Sequence, residues 1–134
     1  MDFCNNRFSS TEVIMPFDWK EYLNLARSLQ NQQGNDYSQE AAFRSAISRS
    51  YYSAFCHARN FIRDREGFIP YNNAMDHSRV RKYFERQKRF DISESLNELR
   101  RWRNRCDYED TVEDLSDLLE DALKNAQEVI DKLK

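Results

Sequence analysis

The stretch Arg100-Arg101-Trp102-Arg103-Asn104-Arg105-Cys106-Asp107-Tyr108 places four arginines within six positions. Like charges crowded at a helix end repel one another, so such a run needs an anion or nearby carboxylates to screen it. A guanidinium offers a rigid, planar fork of donors matched to phosphate, where an ammonium is a point charge. Arg100, Arg101, Arg103 and Arg105 are therefore candidates for contact with a phosphate backbone. Carboxylates are also at hand, because Asp107, Glu109, Asp110 and Glu113 follow directly. Local ion pairing is the alternative.

A second ridge supports the first. Arg49, Tyr52, Cys56, Arg59 and Arg63 stand three or four residues apart, so a helix presents them on one face. A face that meets only water has no evident need of Tyr52 and Cys56, which makes Arg49 and Arg59 further candidates for nucleic-acid contact. The competing reading is a wet surface on which those two side chains complete the core edge. Other chemistries lack their motifs: there is no Gly-rich phosphate loop, no paired-Cys metal spacing and no Ser nucleophile elbow. Cys56 and His57 are neighbours, but adjacent helical residues point about 100° apart. No metal and no cofactor are expected.

These residues need a scaffold, and composition limits what it can be. A chain of 134 residues suits one core, and only two Gly and two Pro argue for long helices over many turns. Net charge is -2, yet residues 44–105 hold 13 Arg and 2 Lys against 7 acids, while residues 106–134 hold 3 basic and 10 acidic residues. The acidic last segment is either a partner for the basic centre or a separate solvated face. The N-terminus lacks the basic start and apolar run of a signal peptide, and no apolar stretch approaches membrane-spanning length. Three scattered cysteines, Cys4, Cys56 and Cys106, fit reduced thiols. A cytoplasmic protein with no membrane contact is expected.

Five helices follow from periodicity and capping. The first opens at a capping box of Asp18 and Glu21 with a Phe17 and Tyr22 staple, buries Tyr22, Leu25, Ala26 and Leu29, and stops at Gly34. Residues 1–17 read as a loose arm and 18–134 as the domain. The second runs from a Ser38 cap to about Arg65, ended by Gly67, with Phe43, Ile47, Tyr51, Ala54, Phe55, Ala58 and Ile62 inward. Asp76 is placed as the cap of a basic third helix, Asp91 with Glu94 as the box of a fourth, and Thr111 with Asp114 as that of a last helix starting near Val112. Short connections favour antiparallel neighbours, so the fold class is an all-α, antiparallel bundle of four to five helices.

Three segments carry a family resemblance. Ala46-Ile47-Ser48-Arg49-Ser50-Tyr51-Tyr52-Ser53-Ala54-Phe55, followed by Ala58-Arg59, resembles the signature helix of HEPN domains. Asp76-His77-Ser78-Arg79-Val80 is similar to the His-led start of that family's middle helix, and Leu99 through Tyr108 to its late Arg-Asn and Asp-Tyr element. The last helix, with its spaced alanines, is similar in style, and with it the resemblance covers roughly residues 18 to 133, the three motifs standing in the family's order and spacing.

The resemblance implies a helical bundle paired as a homodimer, associated with RNA or nucleotides and often encoded beside a nucleotidyltransferase as toxin and antitoxin. Active members are metal-independent ribonucleases with an Arg, four to six residues, then a His. Arg101 is followed after four residues by Cys106 in place of that His. On the resemblance, Arg103, Asn104, Asp107 and Tyr108 form the catalytic element, and His77 is the candidate base, reaching in from another helix or from a dimer partner. With that imidazole missing, ribonuclease activity does not simply carry over: an RNA- or nucleotide-associated protein with weak or absent cleavage is expected, and Cys106→His should raise cleavage if the remaining geometry is intact. A non-catalytic module that binds RNA, a nucleotide or a protein, and a plain dimerisation scaffold, are the other readings.

Overall fold

The longest element starts and stops for local reasons. Ser38 Oγ accepts a hydrogen bond from the Ala41 N–H at 3.0 Å, and Gly67, at a φ of 76°, returns its own N–H to the Ile62 carbonyl. Only glycine takes that left-handed cap without a Cβ penalty. In the computed structural model, which describes residues 15–31 and 36–134, the helix so bounded is α2, Gln39–Glu66. Before it lies α1, Glu21–Asn31, and after it α3, Met75–Arg86, α4, Phe90–Tyr108, and α5, Leu115–Lys132. The described residues contain no strand. No helix among them is long and apolar enough to cross a membrane. Residues 1–14 of the expected arm, and Gly34, lie outside the described residues.

Side-chain contacts give the helix directions. Arg27 bonds Gln127 while Gln30 bonds Glu120, so α1 and α5 are antiparallel. Ser48 meets Asp107 and Tyr52 meets Arg103, so α2 and α4 are antiparallel too. Ser93 reaches back to Glu85 across the α3–α4 turn. The step from α2 to α3 differs. His77 lies against Tyr51 and Phe55, and Tyr83 bonds Glu66, so α3 runs alongside α2 in the same direction. The loop 67–74 therefore doubles back along α2 and delivers the start of α3 to its middle.

Helix α2 is the central element, packed by α1, α4 and α5. Its buried positions alternate small and large: Ala46, Ser50, Ala54 and Ala58 admit neighbouring backbones, while Ile47, Tyr51 and Ile62 fill the space between. Leu96 and Leu99 of α4 and Leu119, Ala126 and Val129 of α5 close the same core. Burial of this apolar surface, at about 25 cal/mol per Å², is what holds five amphipathic helices together.

Several expected helix starts move, and each has a cause. The Asp18 carboxylate accepts from the Lys20 N–H at 3.1 Å, so Asp18 organises the turn before α1. Phe17 and Tyr22 do meet, with ring centroids 5.2 Å apart. Leu25 is 45% exposed, and Leu23 with Ala26 makes up the buried face of α1, which packs on α2 and α5. Asp76 lies inside α3, where the amides of the preceding loop and the Arg79 guanidinium occupy its carboxylate. Asp91 lies inside α4 and pairs with Lys132 of α5 at 3.2 Å. Asp114 adopts a left-handed φ of 53° without a side-chain cap, so α5 begins at Leu115 and leaves Val112 ahead of it.

Candidate functional site

The returning loop is tied down by one carboxylate. Asp76, buried at the start of α3, accepts from the N–H groups of Tyr71 (3.0 Å) and Asn72 (2.8 Å) and pairs with Arg79 at 2.7 Å. Burial alone would raise its pKa, but these donors outweigh that and hold it below the ordinary carboxylate range. The next residue is thereby fixed. His77 stacks on Phe55 with ring centroids 4.5 Å apart, and its Nδ1 is hydrogen-bonded to the Tyr51 hydroxyl. Burial depresses the His77 pKa, and the charges of Arg103, Arg81 and Arg100 depress it further against the opposing pull of Asp76.

Helix α4 supplies the opposite wall. The Arg103 guanidinium lies 5.2 Å from the Tyr52 ring centroid and 5.6 Å from that of Tyr108. Its Nη1 donates to Asn104 Oδ1 at 2.9 Å. Its Nε stands 2.9 Å from Asp107 Oδ2 as an ion pair, but the N–H is not in line for a hydrogen bond. Asp107 also accepts from Ser48 Oγ at 3.3 Å, which anchors this arrangement to α2. Arg100 is steadied by the Asn97 side-chain carbonyl at 3.0 and 3.3 Å. Arg81 gives Nη1 to the His77 carbonyl at 2.9 Å, and its pKa is lowered by burial and by Arg100. Among the described residues neither Arg81 nor Arg100 has a carboxylate within ion-pair distance.

The arginine run therefore divides. Arg100 and Arg103 face His77, whereas Arg101 pairs with Glu98 (3.1 Å) and Arg105 with Glu109 (3.9 Å) on another side of α4. At about 100° per residue, positions 100, 103 and 107 share a face that 101 and 105 do not. Cys106 is buried in the core, and burial pushes its thiol up to about 11. The charged groups acting on it are Arg44, Asp107, Arg105 and Glu109, none of which acts on His77. Tyr108, at 74% exposure, is the outermost member of the element.

Sequence reasoning missed Tyr51, Arg81 and Ser48 as parts of this corner and Arg44 as its foundation. Arg44 forks onto the end of α4, donating to the carbonyls of Cys106 (2.9 Å), Glu109 (2.7 Å) and Asp110 (3.0 Å), and it also pairs with Glu40. The Cys106 carbonyl is among those that the end of α4 leaves without an intrahelical donor, and the other two follow directly after the helix. A signal existed only for Arg81, one helical turn after His77.

The ridge on α2 lines a neighbouring cleft of about 460 Å³. Arg49 lies over Tyr22 (4.9 Å) and Tyr52 (5.3 Å), and Arg59 over Trp19 (5.7 Å). Cys56 is at the bottom, buried, with its thiol pushed up to about 11 by burial. Arg63 is set apart by its pair with Asp64 at 2.8 Å.

Among the described residues, fold and site together define a bundle of five helices with a cationic, aromatic corner around one partly buried imidazole. Such a corner can hold an anion through Arg81, Arg100 and Arg103 and can offer a ring N–H from His77. Comparisons of the chain with protein-family models, with curated proteins and with solved structures found no match.

Proposed function

We propose that this chain is a HEPN-like protein that holds a phosphate of RNA, or of a nucleotide, at the corner formed by His77, Arg81, Arg100 and Arg103. One observation carries the reading: three guanidinium groups bear on a single imidazole, and two of them have no carboxylate partner among the described residues. Cations held together without an anion destabilise one another; burial lowers the Arg81 pKa, and the charge of Arg100 lowers it further. A bound phosphate would relieve that repulsion through forked, charge-assisted hydrogen bonds. The resemblance adds a two-fold homodimer, a cytoplasmic setting and a role beside a nucleotidyltransferase in a toxin–antitoxin or defence module.

The test is equilibrium binding of a short single-stranded RNA over a salt series, for the unmodified protein and for the Arg81→Gln, Arg100→Gln and Arg103→Gln variants. Affinity should fall steeply with salt, and each variant should weaken it. RNA binding that is absent at low salt, or indifferent to all three changes, would sink the reading. Light scattering checks the dimer, and a monomer mass at micromolar concentration would rule against it.

A second reading, metal-independent RNA cleavage, draws on the depressed pKa of His77, which keeps the ring neutral near pH 7; to act as a general base the ring must also free an acceptor nitrogen, by releasing the Tyr51 bond at Nδ1 or by moving its proton there. Cleavage lost in His77→Ala but retained in Cys106→Ala would favour it over simple binding.

A further inference from the structure

The cleft beside the corner has the character of a base-stacking site. Its wall is aromatic, from Trp19 and Tyr22 on one side to Tyr52 and Phe55 on the other. Arg49 and Arg59 lie over those rings, and neither has a carboxylate within ion-pair distance among the described residues. Flat rings and flat guanidinium groups both stack on nucleobases. The rim carries side-chain amides at Asn72 and Asn73. Asn73 accepts from the Met75 N–H through Oδ1, which leaves its amino group to face a polar edge.

The cleft is continuous with the phosphate corner. His77 and Tyr52 line it, and the same Tyr52 ring lies 5.2 Å from the Arg103 guanidinium. One tyrosine ring thus separates the two places, a distance within reach of a single nucleotide. A duplex cannot present a base to such a cleft, because its bases are stacked inside; a strand with an unpaired base can. The volume, about 460 Å³, is in the range of small-ligand pockets.

We propose that the Trp19 to Tyr52 cleft takes the base of one unpaired nucleotide of an RNA strand whose phosphate is held at Arg103 and His77. The proposal rests on the phosphate-binding reading given above. It makes Trp19, Tyr22, Arg49 and Arg59 the residues that select unpaired over paired RNA.

The test compares three probes on the full chain at low salt: a short unpaired RNA of mixed sequence, an abasic ribose–phosphate strand of equal length, and the four nucleoside monophosphates. Affinity is read by anisotropy of the labelled strands and by competition for the monophosphates. Occupancy of the cleft is read by Trp19 emission in the Trp102→Phe protein. The base-bearing strand should bind about tenfold or more tighter than the abasic one and change Trp19 emission. Trp19→Leu should narrow that gap with the salt dependence intact. Equal affinity for the two strands, with steep salt dependence and unchanged Trp19 emission, would overturn the base site and leave the phosphate reading standing. No binding of either strand would remove both. Monophosphates that match the strand in affinity and in Trp19 response would make a free nucleotide the occupant and overturn the assignment to RNA. The comparison of probes needs no change in the cleft, so it stands even if Trp19→Leu does not fold.

Discussion

The Tyr51 hydroxyl and Nδ1 of His77 are hydrogen-bonded to each other, with the phenol as the donor that burial demands. The direction follows from burial: the phenol is 1% exposed, burial raises its pKa, and Nδ1 is the acceptor it reaches. The neutral ring therefore carries its own proton on Nε2 and presents a donor, as an anion-holding role requires. Its pKa should lie below the ordinary value of about 6.5. Arg103→Gln should raise it, because one depressing charge is gone. The unfolded chain then binds the proton more readily than the folded one, so the contribution of neutral His77 to stability is complete above about pH 6.5 and is lost as pH falls toward the folded value. NMR titration of the His77 ring, with denaturant midpoints of the unmodified and His77→Gln proteins across that window, measures both. A ring titrating at or above the ordinary value would refute the assignment.

Arg44 should matter for stability more than for binding. Its fork donates to three carbonyls at the end of α4, and its side chain is only 18% exposed. Arg44→Ala leaves those carbonyls without their donor and is expected to cost about 2 to 4 kcal/mol in chemical denaturation. Arg44→Lys should recover only part of this, since an ammonium cannot span three acceptors in a plane. A loss below about 0.5 kcal/mol for Arg44→Ala would show that the clamp is ornamental.

What could be read in advance, and what could not, divides along the range of the interactions. Ser38 and Gly67 act on groups within a few residues, so both ends of α2 were readable from spacing. Asp91 has cap chemistry too, but Lys132 of α5 holds it, which no local pattern reveals; Asp76 is held by Arg79 and by the Tyr71 and Asn72 amides, all close to it in the chain, so that competition lay within local reach. The meeting of His77 with Arg103 depends on the loop 67–74 turning back along α2, a tertiary fact. The split of the arginine run was different in kind: helical geometry alone separates 100 and 103 from 101 and 105. Treating the four as one cluster overlooked it.

That split is itself testable. Arg101 and Arg105 already have carboxylate partners and stand apart from the His77 corner. Replacing both with Gln should leave RNA affinity within about twofold of the unmodified value. Replacing Arg100 and Arg103 together should lower affinity by about tenfold or more and reduce the salt slope by roughly one unit for each phosphate that is no longer neutralised. Titrations at several salt concentrations separate the two cases, and equal losses in both pairs would return the site to a diffuse basic surface.

The position of Cys106 bears on catalysis most directly. The resemblance gives it the slot of an active member's His, and on that ground Cys106→His is expected to raise cleavage. In the structure the thiol is buried at 4% exposure, with Arg44, Asp107, Arg105 and Glu109 as the charged groups acting on it, of which only Asp107, through its pair with Arg103, belongs to the His77 corner. An imidazole is larger than a thiol and carries two nitrogens that need partners, so forcing it into this core should cost about 1 to 3 kcal/mol. It should also bring no gain in cleavage, because a base must lie within hydrogen-bond reach of the proton it takes. Denaturation curves and cleavage of a labelled RNA, with the Cys106→His, Arg103→Ala double variant as control, decide the matter. A gain approaching the hundredfold to ten-thousandfold range usual for general-base catalysis, abolished in the double variant, would mean that residue 106 reaches the phosphate after all, within one subunit or across a dimer.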